Sequence, residues 1–127
     1  MNHKSVAEEW FSYARSDLEV AKFLKNMRPI PLEIICYHCQ QSAEKHLKGY
    51  IAYNGGEIHR THDLNILNKI CTRYHQRFKE LTDECIHLTD YGIQTRYPFE
   101  LQINEEDMNS ALKSATTIQK FVMRFVD

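Results

Sequence analysis

Residues 32–53, LEIICYHCQQSAEKHLKGYIAY, decide the fold. Ile35, Cys36, Cys39, Ala43, Leu47, Tyr50 and Ile51 recur at the spacing of one helical face, with charged and amide side chains between them. No proline interrupts the stretch, and Asn54-Gly55-Gly56 closes it with residues that accept positive φ. A helix this long must bury its apolar face against other elements, and the flanking sequence offers them at the same period.

Upstream, Ala7, Trp10, Phe11, Ala14, Leu18, Ala21 and Leu24 form a second helical stripe, with Ser5 and Glu8 as a capping box at its start. Arg28-Pro29-Ile30-Pro31 predicts its end near Asn26, because proline removes donors and biases the preceding residue away from the helical region. Downstream, Thr61 or Asp63 caps a shorter helix carrying Leu64, Leu67, Ile70 and Cys71, its stripe continuing through Tyr74. A fourth helix is expected with Phe78, Leu81, Cys85 and Leu88 inward and Thr82-Asp83-Glu84 near its start, followed by an irregular stretch from Gly92 to Ile103. Asn104 then caps a last helix, with Glu105, Glu106 and Asp107 at the positive end of its dipole and Met108, Ala111, Leu112, Ala115, Ile118, Val122 and Phe125 inward. No segment alternates with period two. The expectation is an all-α chain, one domain over residues 1–127, folded as an antiparallel up-and-down four-helix bundle with an additional short helix.

The composition fits that reading: 127 residues, 43% hydrophobic and 26% charged. Sixteen Lys and Arg against 17 Asp and Glu leave a formal charge of −1, which excludes a uniformly basic nucleic-acid binder and leaves room for a local basic patch. No run approaches the roughly 18–20 apolar residues of a membrane span, and the first residues lack a signal-peptide core, so a cytoplasmic chain with no membrane association is expected. Cys36, Cys39, Cys71 and Cys85 are then expected as reduced thiols.

Several groupings carry chemistry. Cys36-Tyr37-His38-Cys39 has the spacing of half a zinc site, with Cys71 and His75, or Cys85 and His87, as further ligands. The pair also falls on the apolar helical face, where cysteine behaves as a small hydrophobe, and this is the stronger reading: no metal or cofactor is expected. His38, Gln41, Lys45 and Lys48 line a polar face of the same helix with Gln40 and Glu44 alongside, suited either to plain solvation with a Glu44–Lys48 ion pair or to a phosphate, nucleotide or partner helix. Gly49 within that helix points to close approach of a neighbour, since glycine there costs roughly 0.8–1 kcal/mol relative to alanine. Asp17 lies near the inward face of the first helix and requires a partner, an arginine or lysine from another helix or a tyrosine hydroxyl. His59-Arg60-Thr61-His62-Asp63 gathers imidazoles, a guanidinium and a carboxylate at a helix start, where backbone amides favour an anion, and Arg96-Tyr97-Pro98 sets a second arginine beside an aromatic ring.

Taken in order, Ala14-Arg15-Ser16-Asp17-Leu18 with Ala21, the run from Cys36 to Lys48, Thr61-His62-Asp63-Leu64 and Thr95-Arg96-Tyr97-Pro98 resemble the HEPN family, the higher eukaryotes and prokaryotes nucleotide-binding domain. The resemblance implies an up-and-down helical bundle that forms a homodimer. It further implies a bacterial or archaeal protein paired with a minimal nucleotidyltransferase as a toxin–antitoxin module. Many members of that superfamily are metal-independent ribonucleases with an arginine and a histidine four to six residues apart. None of Arg15, Arg28, Arg60, Arg73, Arg77, Arg96 or Arg124 is followed by a histidine at that separation.

Three functional readings follow. In the first, a non-catalytic module binds ATP, GTP, RNA or an acidic partner through Gln41, Lys45, Lys48, Arg60, His62, Asp63, Arg96 and Tyr97, by charge-assisted hydrogen bonds and by stacking on Tyr97. In the second, a displaced histidine, His62 or His38, with Arg60 or Arg96 cleaves RNA. In the third, the polar stripe merely solvates a structural dimer.

Overall fold

The computed structural model describes residues 2–92 and 102–127. Its α-helices are α1 (His3–Leu24), α2 (Leu32–Tyr53), α3 (Leu64–Tyr74), α4 (Thr82–Thr89) and α5 (Glu105–Met123), with 3₁₀ turns at Gln76–Leu81 and Asp90–Gly92, and no strand occurs among the described residues. α2 is the central element and packs against all four other helices. Its apolar face is fully buried from Ile35 through Cys39, Ala43 and Leu47 to Ile51, against Phe11 and Leu18 of α1, Leu64 and Leu67 of α3, and Ala115 and Ile118 of α5.

α1, α2, α4 and α5 alternate in direction. The C-terminal ends of α2 and α5 meet where the Tyr53 hydroxyl donates to Asp127 at 3.1 Å, whereas the turn after α4 returns to the middle of α2, where Gly92 closes on the Gln40 side chain. α3 is the additional short helix. Residues 54–63 bring the chain back along α2 before α3 begins, starting from a turn in which Gly55 takes φ +76°.

Most helix ends are those the sequence predicts. Asp63 caps α3 by accepting from Asn65 N at 2.9 Å, and Asn104 forms a reciprocal capping box with Asp107 at α5. Two expectations are corrected. α1 begins at His3 because the Asn2 side chain accepts from the Ser5 amide at 2.8 Å, so Ser5 lies inside the helix and its box with Glu8 does not form. The expected fourth helix is divided into the 3₁₀ turn and α4. In a 3₁₀ turn residues i and i+3 eclipse, which sends Phe78 and Leu81 into the core together.

α1 and α2 are joined tightly. A Cβ at Gly49 would overlap the ring of Phe11, itself fully buried, so glycine there permits close contact of the two helices. The Ser42 hydroxyl donates across the same joint to the Ala14 carbonyl at 2.7 Å.

Candidate functional site

Helical geometry runs His38, Gln41, Lys45 and Lys48 along about 15 Å of one α2 face. Two carboxylates organise that face from opposite sides. From α1, Asp17 accepts from His38 Nδ1 through Oδ1 at 3.0 Å and from Lys45 Nζ through Oδ2 at 2.6 Å. Asp17 is thereby supplied with the cross-helix lysine its position demands, plus an imidazole. The three side chains retain 13–25% of their exposure, so the cluster sits at a solvent margin.

The second cluster lies deeper. Glu44 is 4% exposed; it accepts from Lys48 Nζ at 3.0 Å and from His62 Nδ1 at 2.8 Å. Gln40, fully buried, donates to Glu44 at 3.2 Å and to the His62 carbonyl at 3.0 Å while accepting from Gln41 Nε2 at 2.8 Å. Lys48 also lies 5.6 Å from the Trp10 ring centroid, a cation–π contact with α1. The Glu44–Lys48 pair is thus a buried joint between α2, α1 and the segment entering α3, and differs from the solvated i,i+4 pair that its spacing suggests.

Both histidines are held through Nδ1, which leaves Nε2 as the remaining nitrogen of each ring; the carboxylate partner assigns this tautomer. With neutral imidazoles each cluster sums to zero charge, one carboxylate against one ammonium. Arg60 is exposed on the segment leading to His62 and adds a permanent charge.

The structure joins Gln41, Lys48 and His62 in one hydrogen-bonded cluster through Gln40 and Glu44, and holds Lys45 in a separate one on Asp17. Asp63 is turned away to cap α3, with its own amide donating to the Thr61 hydroxyl at 3.1 Å. Arg96 and Tyr97 lie outside the described residues. Gln40 and Glu44 were legible alongside this face but not as binding residues, and Asp17 and Trp10 were legible only as residues of the first helix, not as members of the site. For Gln40 and Glu44 the signal was indirect: an acid and an amide on a helix otherwise rich in apolar residues.

The cysteines do not share in this chemistry. All four are buried, and burial pushes the thiols of Cys36, Cys39 and Cys85 up to about 12. Cys36 and Cys39 are fully buried in the hydrophobic core. His46 is different again: it is fully buried, stacks on Phe11 at 6.3 Å, and donates from Nδ1 to the Ser42 carbonyl at 2.9 Å. Burial lowers its pKa to about 4 and, among the described residues, leaves its Nε2 without a partner.

The family model described as HEPN domain matches residues 7–125. The chain belongs to the HEPN family. Among solved structures, this HEPN chain is similar to ST0689, an archaeal HEPN homologue, at 24% identity and a TM-score of 0.73, with 95% of this chain and 98% of that one aligned. It is equally similar to TT1696 from Thermus thermophilus, at 24% identity and a TM-score of 0.72 over 98% of both chains. At that identity the likeness is one of fold. No curated protein matches in sequence. Among the described residues, no helix of the HEPN chain is long and apolar enough to cross a membrane.

Proposed function

We propose that this HEPN chain is a binding module for a phosphate-bearing ligand, a nucleotide or a short RNA, and that the α2 edge built on Asp17 and Glu44 is its binding face. The observation that carries the reading is the double anchoring itself. Two lysines and two imidazoles are held on one face by carboxylates drawn from α1 and α2, so their positions are fixed before a ligand arrives. Arg60 supplies the charge that the clusters do not balance, and Arg96 and Tyr97 belong to the same module as a guanidinium and a stacking ring. The family supports a wider setting, a prokaryotic toxin–antitoxin pair with a minimal nucleotidyltransferase, and that protein is the alternative occupant of this face.

A thermal-shift and calorimetry panel of ATP, GTP and short RNAs tests the reading. A ligand that binds only the folded chain stabilises it by about 2.7 kcal/mol at one hundred times its Kd. The expected result is a raised midpoint with one ligand, abolished by Arg60→Ala, an exposed change that leaves folding intact. No shift with any nucleotide or RNA overturns the phosphate reading.

One geometric feature favours a second reading, endoribonuclease activity with His62 and Arg60. A histidine held by a carboxylate at Nδ1 presents Nε2 as a base. Cleavage of a mixed RNA pool, lost in His62→Ala, would establish it.

A further inference from the structure

α3 carries a polar stripe beside its apolar one. Asn68, Lys69 and Thr72 follow one another at helical spacing, next to the buried face of Leu64, Leu67, Ile70 and Cys71. Across from this stripe stand Lys79 of the 3₁₀ turn and Thr82, the first residue of α4, and between them lies a cleft of about 270 Å³. No residue lining it belongs to the α2 edge.

The hydrogen-bonding capacity of the cleft is lopsided. Asn68 is 5% exposed; its Nδ2 donates to the Phe78 carbonyl at 2.9 Å, which fixes the amide, and among the described residues its Oδ1 has no partner. A buried acceptor in that state is costly, and on a residue that lines a cleft it calls for a donor from within the cleft. The Thr72 hydroxyl donates to the Asn68 carbonyl at 2.8 Å and the Thr82 hydroxyl to the Lys79 carbonyl at 2.7 Å, so each has spent its one proton on the backbone and keeps only acceptor capacity. Beside these acceptors stand the ammonium groups of Lys69 and Lys79, both exposed and neither in an ion pair among the described residues. No carboxylate lines the cleft, and Glu80, next to Lys79, is paired with Arg77 at 2.9 Å.

We infer that this cleft binds a small phosphorylated sugar. Inorganic phosphate answers the two lysines but brings too few protons for the acceptors. A neutral sugar answers the acceptors and leaves the cations alone. An amino acid, with an ammonium of its own, leaves the two lysines unbalanced. A sugar phosphate supplies both halves in one molecule: its phosphate, with a charge of roughly −1.5 to −2 at pH 7, accepts charge-assisted hydrogen bonds from Lys69 and Lys79, and its neutral hydroxyls donate to Asn68 Oδ1 and the threonine oxygens. The size agrees, because a cleft of about 270 Å³ falls just below the roughly 300–1,000 Å³ of sites for drug-sized ligands. The inference does not rest on what the α2 edge binds.

Titration of the full chain with ribose 5-phosphate, followed by calorimetry and by the side-chain amide resonances of Asn68 in nitrogen-15 NMR spectra, tests this. The expected result is saturable binding that shifts those resonances and is roughly tenfold tighter than the binding of inorganic phosphate or free ribose. Lys69→Ala combined with Lys79→Ala, both exposed changes, should weaken it by roughly tenfold or more with an unchanged helical circular dichroism spectrum. Asn68→Ala also removes the bond to the Phe78 carbonyl and disturbs the turn itself, so the acceptor side is tested by Thr82→Val, expected to weaken ribose 5-phosphate roughly fivefold and inorganic phosphate not at all. No binding of ribose 5-phosphate at millimolar concentration overturns the inference. Equal affinity for inorganic phosphate, binding that survives the loss of both lysines, or Asn68 resonances that stay still at saturation overturn it equally.

Discussion

The α2 edge and the outer face of α1 break the ordinary rule of protein interiors in opposite directions. On α2, Gln40, Glu44 and Lys48 are polar and buried; on α1, Tyr13, Val20 and Phe23 are apolar and exposed. The buried polar groups are satisfied within the protomer, Glu44 by three donors and Gln40 by hydrogen bonds on both sides of its amide. The exposed apolar groups have no such partner among the described residues. One region is satisfied by folding and offers a positioned set of nitrogens; the other is left facing solvent among the described residues.

The largest test removes the centre of the buried region. Glu44→Ala leaves Lys48 buried without its counter-charge, and breaking a buried pair in this way is expected to cost about 3–5 kcal/mol in urea unfolding. Leucine at both positions should recover most of that loss, because the joint then becomes apolar on both sides. A loss below about 1 kcal/mol for Glu44→Ala would mean that the cluster behaves as an exposed pair, and the contrast with α1 would fail.

pH provides the next test. His46 is held near pKa 4 in the folded chain, chiefly by burial, against 6.5 ordinarily. Between those values the unfolded chain carries the proton and the folded chain does not, so stability falls as pH drops from about 6.5 to about 4, by about 3 kcal/mol in all. His46→Leu should remove this part of the slope. Denaturation curves of native and variant chains that stay parallel from pH 7 to 4 would show that the α1–α2 joint tolerates a charge.

The smallest effect is expected on the outer face of α1. Phe23→Ser should change stability in urea unfolding by no more than about 0.5 kcal/mol. A larger loss would mean that Phe23 belongs to the core of its own chain.

The helices were legible because their signals are local. Apolar spacing marked the inward faces, Asp63 and Asn104 were readable as caps, and Gly49 announced a close approach that Phe11 makes. The errors arose where a local signal had a competitor. Asn2 offers the same acceptor as Ser5 and lies at the right distance to cap one turn earlier, and the stripe from Phe78 to Leu88 does not distinguish a continuous helix from a 3₁₀ turn feeding a shorter one. The site was legible in part: the face carrying His38, Gln41, Lys45 and Lys48 could be listed, yet its connections could not.

The sequence by itself determined that the chain is helical, where its helices run, and that α2 has one apolar and one polar face, because period and capping depend on residues within a turn or two of each other. Only the tertiary structure decided that the polar face is half interior. Asp17 reaches it from 28 residues before Lys45, and His62 from 18 residues after Glu44, across a return of the chain that no local pattern encodes. Burial is a property of what covers a residue, and for Glu44 and Lys48 the cover comes from α1 and the segment before α3.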